Sequence, residues 1–304
     1  MRYTAPMGLH HQTHIPGYDG SYALLSESFS TNTVVVFVHG FWGNSYNTWQ
    51  EFQILADECH SEHPWCKTSD LYFLQYRSIT DYVGFNADSL REFLLSIFPT
   101  PPPTLFAEDL SGLDWLPQIE RTNLQIRQPP YRYAHLILVG HSLGGLIIRK
   151  LIHDEVKRFR DSQLPLSQFP LLSASLRLIS PAHLGFQPAG PLVSIWKLLN
   201  AGVALRALVE SSRAFTDLQP HSHVIESVRL ETEHFAVQYP EILSLSAHIL
   251  WADHEDVVRI GEYECDHAPS YSHCATNHLT VCKPKRSYLK PLEFVGSDAR
   301  AHGA

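Results

Sequence analysis

The chain predicts an α/β fold built on a mainly parallel sheet with helices flanking it. Short β-branched runs alternate with stretches of helical period, the order expected of parallel strands joined by helical crossovers. The runs at 34–38 (VVVFV), 71–76 (LYFLQY), 135–139 (HLILV), 175–180 (SLRLIS) and 247–251 (AHILW) are near-continuously apolar, as strands covered on both faces are. The 304 residues are 44% hydrophobic and 18% charged. That is enough apolar material for a large core, and it excludes wholesale disorder. At about 150 residues per domain the length suggests two domains, yet α/β folds often run this long as one. Residues 1–304 are therefore expected to form a single domain with insertions.

Along the chain, the first greasy run is strand 34–38, and residues 1–30 lack the apolar core of an export signal. Helices are expected at 48–58, 85–97 and 143–159. The last is the clearest, with Leu143, Leu146, Ile147, Leu151 and Ile152 on one stripe. Residues 99–130 open with Pro99 and Pro101-Pro102-Pro103 and close with Pro129-Pro130, which marks an irregular insertion. Residues 185–235 are long enough for two or three helices, and a cap or lid over a pocket is one use for them. Within them, Leu192, Ile195, Trp196, Leu199 and Val203 recur at helical spacing. Such a helix either packs in the core or lines an acyl pocket.

Composition removes some partners. Twenty-three Lys and Arg against thirty-one Asp and Glu give a charge of −8, which argues against a general nucleic-acid binder. Lys197, Asn200 and Arg206 interrupt the apolar stretch 191–210, so no transmembrane segment is expected. Five cysteines are an odd number and do not form a disulfide scaffold. A cytoplasmic location follows as the expectation. The unusual count is nineteen His, enough to reverse the charge if many protonate in mild acid.

The segment HLILVGHSLGGLIIRK contains Gly140-His141-Ser142-Leu143-Gly144, a G-x-S-x-G pentapeptide with a strand before it and an amphipathic helix after. In that context a serine on a sharp strand-to-helix turn is exposed at the sheet edge as a nucleophile. Upstream, VVVFVHGFWG ends a strand in His39-Gly40-Phe41-Trp42-Gly43. A tetrahedral oxyanion needs preorganised N–H donors. The amides of Phe41, in that turn, and Leu143, after the serine, are the candidates, with Trp42 beside them as a pocket residue. A serine nucleophile also needs a base and an acid that orients it, in the order Ser, acid, His. His278, in a polar loop past the last strand, is the preferred base, with His267 and His273 as rivals. The strand at 247–251 runs into Ala252-Asp253-His254-Glu255-Asp256-Val257-Val258. Asp256, followed by two valines, is the preferred acid and Asp253 the alternative.

These motifs, with LISPAHLGF, EDVV and NHLTVCKP, occur in an order that resembles serine esterases of the α/β-hydrolase superfamily. The nearest subgroup is the lipase-like one related to inositol deacylases of glycolipid anchors. The resemblance spans roughly residues 30–295. It implies an eight-stranded-type hydrolase sheet, Ser142 as nucleophile, Asp256 as acid, His278 as base, and Phe41 and Leu143 as oxyanion donors. It also places the loop carrying His183 near the pocket. With Trp42 and Trp196, His183 completes the expected substrate contacts.

The expected activity is hydrolysis of carboxylic esters through an acyl-enzyme, on hydrophobic or lipid-like substrates, with no cofactor. Thioesters and amides are alternatives on the same triad. A different class of reading takes Cys265, His267, His273, Cys274, His278 and Cys282 as a zinc site, although their spacing matches no familiar finger. A catalytically silent scaffold used for binding is the third, and the presence of all three triad candidates argues against it.

Overall fold

The computed structural model describes residues 10–26, 28, 31–49, 52, 63–106, 131–187 and 212–297. Among them the strands are β1 (His10–His14), β2 (Tyr22–Ser26), β3 (Thr33–Val38), β4 (Ser69–Leu74), β5 (His135–His141), β6 (Ser175–Ile179), β7 (Ala247–Trp251) and β8 (Ser270–Tyr271). They form one eight-stranded sheet in the order β1-β2-β4-β3-β5-β6-β7-β8. The pairings from β4 through β8 are parallel, and β1 and β2 are antiparallel additions at one edge. β3 is central, with Val35 opposite Leu71 on one side and Ile137 on the other.

Period-2 alternation along the strands feeds two separate cores. Val34, Val36 and Val38 join Leu136, Leu138, Leu176 and Leu178 on one face. There they meet α1 (Val83–Ile97) through Leu90, Phe93, Leu94 and Ile97, and α2 (Leu143–Ser162) through Leu146, Ile147 and Leu151. Val35, Phe37, Leu71, Phe73, Ile137 and Val139 point to the opposite face. Trp49, Phe52 and Trp65 cover them there, with Leu292 and Val295 of the short helix near the chain end, Lys290–Gly296. Phe37 stacks on Phe73 with centroids 4.7 Å apart. Burying side chains of this size contributes about 1.5–3 kcal/mol each.

The five expected strands are all present. β4 stops at Leu74 rather than Tyr76, because the next two residues serve other partners. The Gln75 amide donates to Ser21 Oγ, and Tyr76 donates its hydroxyl to the His39 carbonyl. β1, β2 and β8 lie outside the five runs that the sequence marks as strands. β1 reads HHQTH and carries no apolar run, and β8 is only two residues long. The expected helices at 85–97 and 143–159 extend to 83–97 and 143–162.

The insertion at 185–235 holds two described helices, α3 (Arg213–Asp217) and α4 (His223–Gln238). Each is capped by a serine: Ser212 Oγ accepts from the Phe215 amide and Ser222 Oγ from the Ile225 amide. The expected helix at 191–210, including Trp196, lies outside the described residues, as do 107–130 and most of the expected helix at 48–58. No helix among the described residues is long and apolar enough to cross a membrane.

Candidate active site

β5 ends at His141 and α2 begins at Leu143, so the whole change of direction falls on Ser142. Its backbone takes φ 53° and ψ −121°, a region costly for any residue with a Cβ and found where function demands it. The surroundings hold it there. The Ser142 amide donates to the Ile179 carbonyl, and the Ser142 carbonyl accepts from the Ala182 and Gly145 amides. The turn also needs room. A Cβ on Gly144 would overlap the Val38 carbonyl, and one on Gly40 would lie 2.8 Å from Ser142 Cβ.

The turn after β3 lies against this elbow. Its hydrogen bond runs from the Gly43 amide to the Gly40 carbonyl, which leaves the Phe41 amide outside it. Trp42 sits in the left-handed region at φ 61°, where a bulky residue is strained. His39 anchors the base of the turn. Its Nδ1–H donates to the Gly40 carbonyl at 2.9 Å, its ring stacks on Tyr76 at 4.2 Å, and burial lowers its pKa to about 4. Leu143, as the first residue of α2, has an amide with no carbonyl one helical turn back to receive it. It lies at the positive end of the helix dipole.

His278 and Ser142 line one cavity of about 350 Å³, within the range of small-molecule sites. Phe41, Trp42, Phe186, Val257 and Leu279 give it apolar walls, and Asn44, Asn47 and Lys283 add polar groups. The His278 ring is oriented by a carboxylate on Nδ1. That carboxylate belongs to Glu255, with Nδ1 2.9 Å from Oε1 and 3.0 Å from Oε2. A carboxylate can only accept, so Nδ1 bears a proton, and Nε2 is left as the atom that can exchange one with substrate.

Burial favours the protonated acid at Glu255, but His278, Ser180 and the Val258 amide together hold the carboxyl below its ordinary range. Oε1 also accepts from the Val257 and Val258 amides at 3.0 and 3.1 Å.

The structure thus brings Glu255, and not the expected Asp256, to the His278 ring. The loop after β7 turns so that Glu255, one residue before Asp256, reaches His278. Asp253, the alternative, instead accepts from the His273 and Cys274 amides at 2.9 and 2.8 Å and organises the loop that carries the base. Of the rival bases, His267 stacks on His248 at 3.8 Å and lies against the lower end of β7, where its amide donates to the Ala247 carbonyl. His273 stays on the loop that Asp253 holds.

His183 is also displaced from its expected place. It is fully buried and does not line the cavity. Its Nε2 bonds the Gly261 carbonyl at 2.8 Å, and its ring stacks on Tyr263 at 4.8 Å. Trp42 does line the cavity. Among the described residues no three His, Cys, Asp or Glu side chains converge to hold a metal, so the six residues considered for zinc form no such cluster. Cys282 is buried in the cavity wall, and burial pushes its thiol up to about 12.

A model of the alpha/beta hydrolase family matches residues 35–278, from β3 to the histidine of the site. The chain belongs to that family. No curated protein matches it. Among solved structures it is similar to phospholipase PlaB from Legionella pneumophila in complex with thio-NAD. That match has 15% identity and a TM-score of 0.43, and covers 75% of this chain and 43% of that one. The chain therefore spans less than half the length of the Legionella protein. It is also similar to YbtT, a type II thioesterase of the yersiniabactin biosynthetic pathway, at 13% identity and TM-score 0.49, covering 92% and 99% of the two chains. Carboxyl esterase 2 from the fungus Tuber melanosporum is similar at 12% identity and TM-score 0.49, covering 97% and 86%.

Proposed function

We propose that this hydrolase cleaves carboxylic esters with a hydrophobic acyl or alcohol part, through an acyl-enzyme on Ser142. The observation that carries the reading is the shared cavity. A serine held at positive φ on a strand-to-helix elbow and a histidine fixed by a buried carboxylate both face it. Ser142 Oγ attacks the ester carbonyl while His278 Nε2 takes its proton, and Glu255 stabilises the imidazolium through Nδ1–H. The Phe41 and Leu143 amides hold the oxyanion. His278 returns the proton to the leaving alcohol. It then activates a water that attacks the acyl carbon and restores Ser142. No step calls for a cofactor. The apolar walls at Phe41, Trp42, Phe186 and Leu279 support a greasy substrate, as does the motif order shared with lipase-like esterases.

A fluorophosphonate probe is expected to label the wild type and to leave Ser142→Ala unlabelled. Equal labelling of both removes Ser142 from the role. Across p-nitrophenyl esters from acetate to palmitate, kcat/KM is expected to rise beyond acetate, and activity confined to acetate ends the hydrophobic-substrate reading.

A further inference from the structure

His141 precedes the nucleophile on the elbow, and the reaction above gives its side chain no task. Its ring is nevertheless buried and engaged on several sides. Nε2 lies 2.8 Å from the backbone carbonyl of His278. The ring centroid is 4.9 Å from that of His278. The Trp49 indole meets it edge-on, with centroids 6.3 Å apart. A carbonyl only accepts, so Nε2 bears the proton. Burial, reinforced by the neighbouring His278, lowers the pKa of His141 to about 3, so the ring is a neutral donor near neutral pH.

The segment that carries His278 is a loop rather than a helix or strand. It follows the two-residue β8 and is shaped by turns around Asn277, whose Oδ1 accepts from the Leu279 and Thr280 amides. Glu255 sets the rotation of the His278 ring, and the Asp253 bonds and the bridge of His254 to Asn277 tie the loop to the segment after β7, but these bonds do not tie it to the elbow. The His141 bond joins the backbone of the base to the residue adjacent to the nucleophile.

We propose that His141 is a positioning residue: its Nε2–H to the His278 carbonyl sets the distance between base and nucleophile. The proposal rests on the reading of Ser142 and His278 as nucleophile and base. A misplacement of about 1 Å between reacting groups can cost on the order of 10²-fold in rate, so one hydrogen bond across this gap is consequential.

The test compares His141→Leu, which removes the donor, with His141→Gln, whose amide N–H₂ keeps a donor at similar reach. His141→Leu is expected to lower kcat on a p-nitrophenyl ester by roughly 10- to 100-fold with KM within about two-fold. Fluorophosphonate labelling should slow by a similar factor. His141→Gln is expected to recover most of the rate. A role confined to packing predicts instead that both variants fall together, or that KM rises with kcat unchanged, and either result overturns the proposal. If His141→Leu does not fold, His141→Gln at less than about a tenth of wild-type kcat overturns it, while near-wild-type kcat supports it. Labelling of the wild type tells the two failures apart. An unlabelled wild type defeats the reading of Ser142, whereas a labelled wild type with His141→Leu labelled as fast defeats only the positioning role.

Discussion

Glu255 Oε1 takes hydrogen bonds from the Val257 and Val258 amides as well as from His278 Nδ1. Its position is thus set by the backbone two and three residues on, before the histidine arrives. Glu255→Gln keeps the shape and removes the charge that stabilises the imidazolium. It is expected to lower kcat by about 10²- to 10⁴-fold, while Asp256→Asn stays within about three-fold of wild type. Steady-state hydrolysis of one p-nitrophenyl ester by both variants checks this, and equal losses would return the acid to Asp256. The sequence pointed to Ser142 and His278, which the structure brings to one cavity, because each is marked by context, one by a strand-glycine-helix pattern and the other by a polar loop past the last strand. It did not show Glu255. Three acids, Asp253, Glu255 and Asp256, follow β7 within five residues, and which of them faces inward depends on loop dihedrals that no periodicity encodes. The one available signal was local, since an acid placed two and three residues before paired valines can accept both of their amides. His183 misled for a related reason: its buried stack on Tyr263 depends on a residue eighty positions away.

β3, β5 and α2 meet where the elbow forms, and their closeness is a property of glycine. A Cβ at position 144 would overlap the Val38 carbonyl and come within 2.7 Å of the His39 carbonyl, and backbone at the end of a central strand cannot yield as a side-chain tip can. Gly144→Ala is therefore expected to cost about 1–3 kcal/mol and to depress activity further by displacing the Leu143 amide. Urea unfolding and ester hydrolysis measured on the same preparation check both, and a wild-type urea midpoint would show that α2 can shift at no cost. Ser222 supports α4 by accepting from the Ile225 amide, and Ser222→Ala is expected to cost about 1 kcal/mol without touching kcat. Central elements were readable from the sequence because burial on both faces writes a continuous apolar run. Edge elements were not. β1 is polar and gains its place only by pairing with β2, register His14 opposite Tyr22, which is a tertiary fact.

Nineteen histidines bear on the stability of the whole molecule through the few that are buried. Burial is the main cause that lowers His39 to about 4, His141 to about 3 and His183 to about 4. In the unfolded chain each returns to about 6.5. Between these values the unfolded state binds more protons than the folded one, so stability rises with pH across the window. These contributions are fully present above about pH 6.5 and are lost as the pH falls toward 4, of order 3 kcal/mol for each group. Glu255, held below its ordinary range, acts in the same direction at lower pH, its share lost as the pH drops through its folded value. The unfolding free energy is thus expected to decline steeply between pH 6.5 and 4, and urea titrations at half-unit intervals would measure it. His183→Phe keeps a flat ring against Tyr263 and removes one of the three titrating groups. Its slope of stability against pH should be shallower than wild type by about a third. An unchanged slope would mean that His183 takes up its proton in the folded protein as readily as in the unfolded chain.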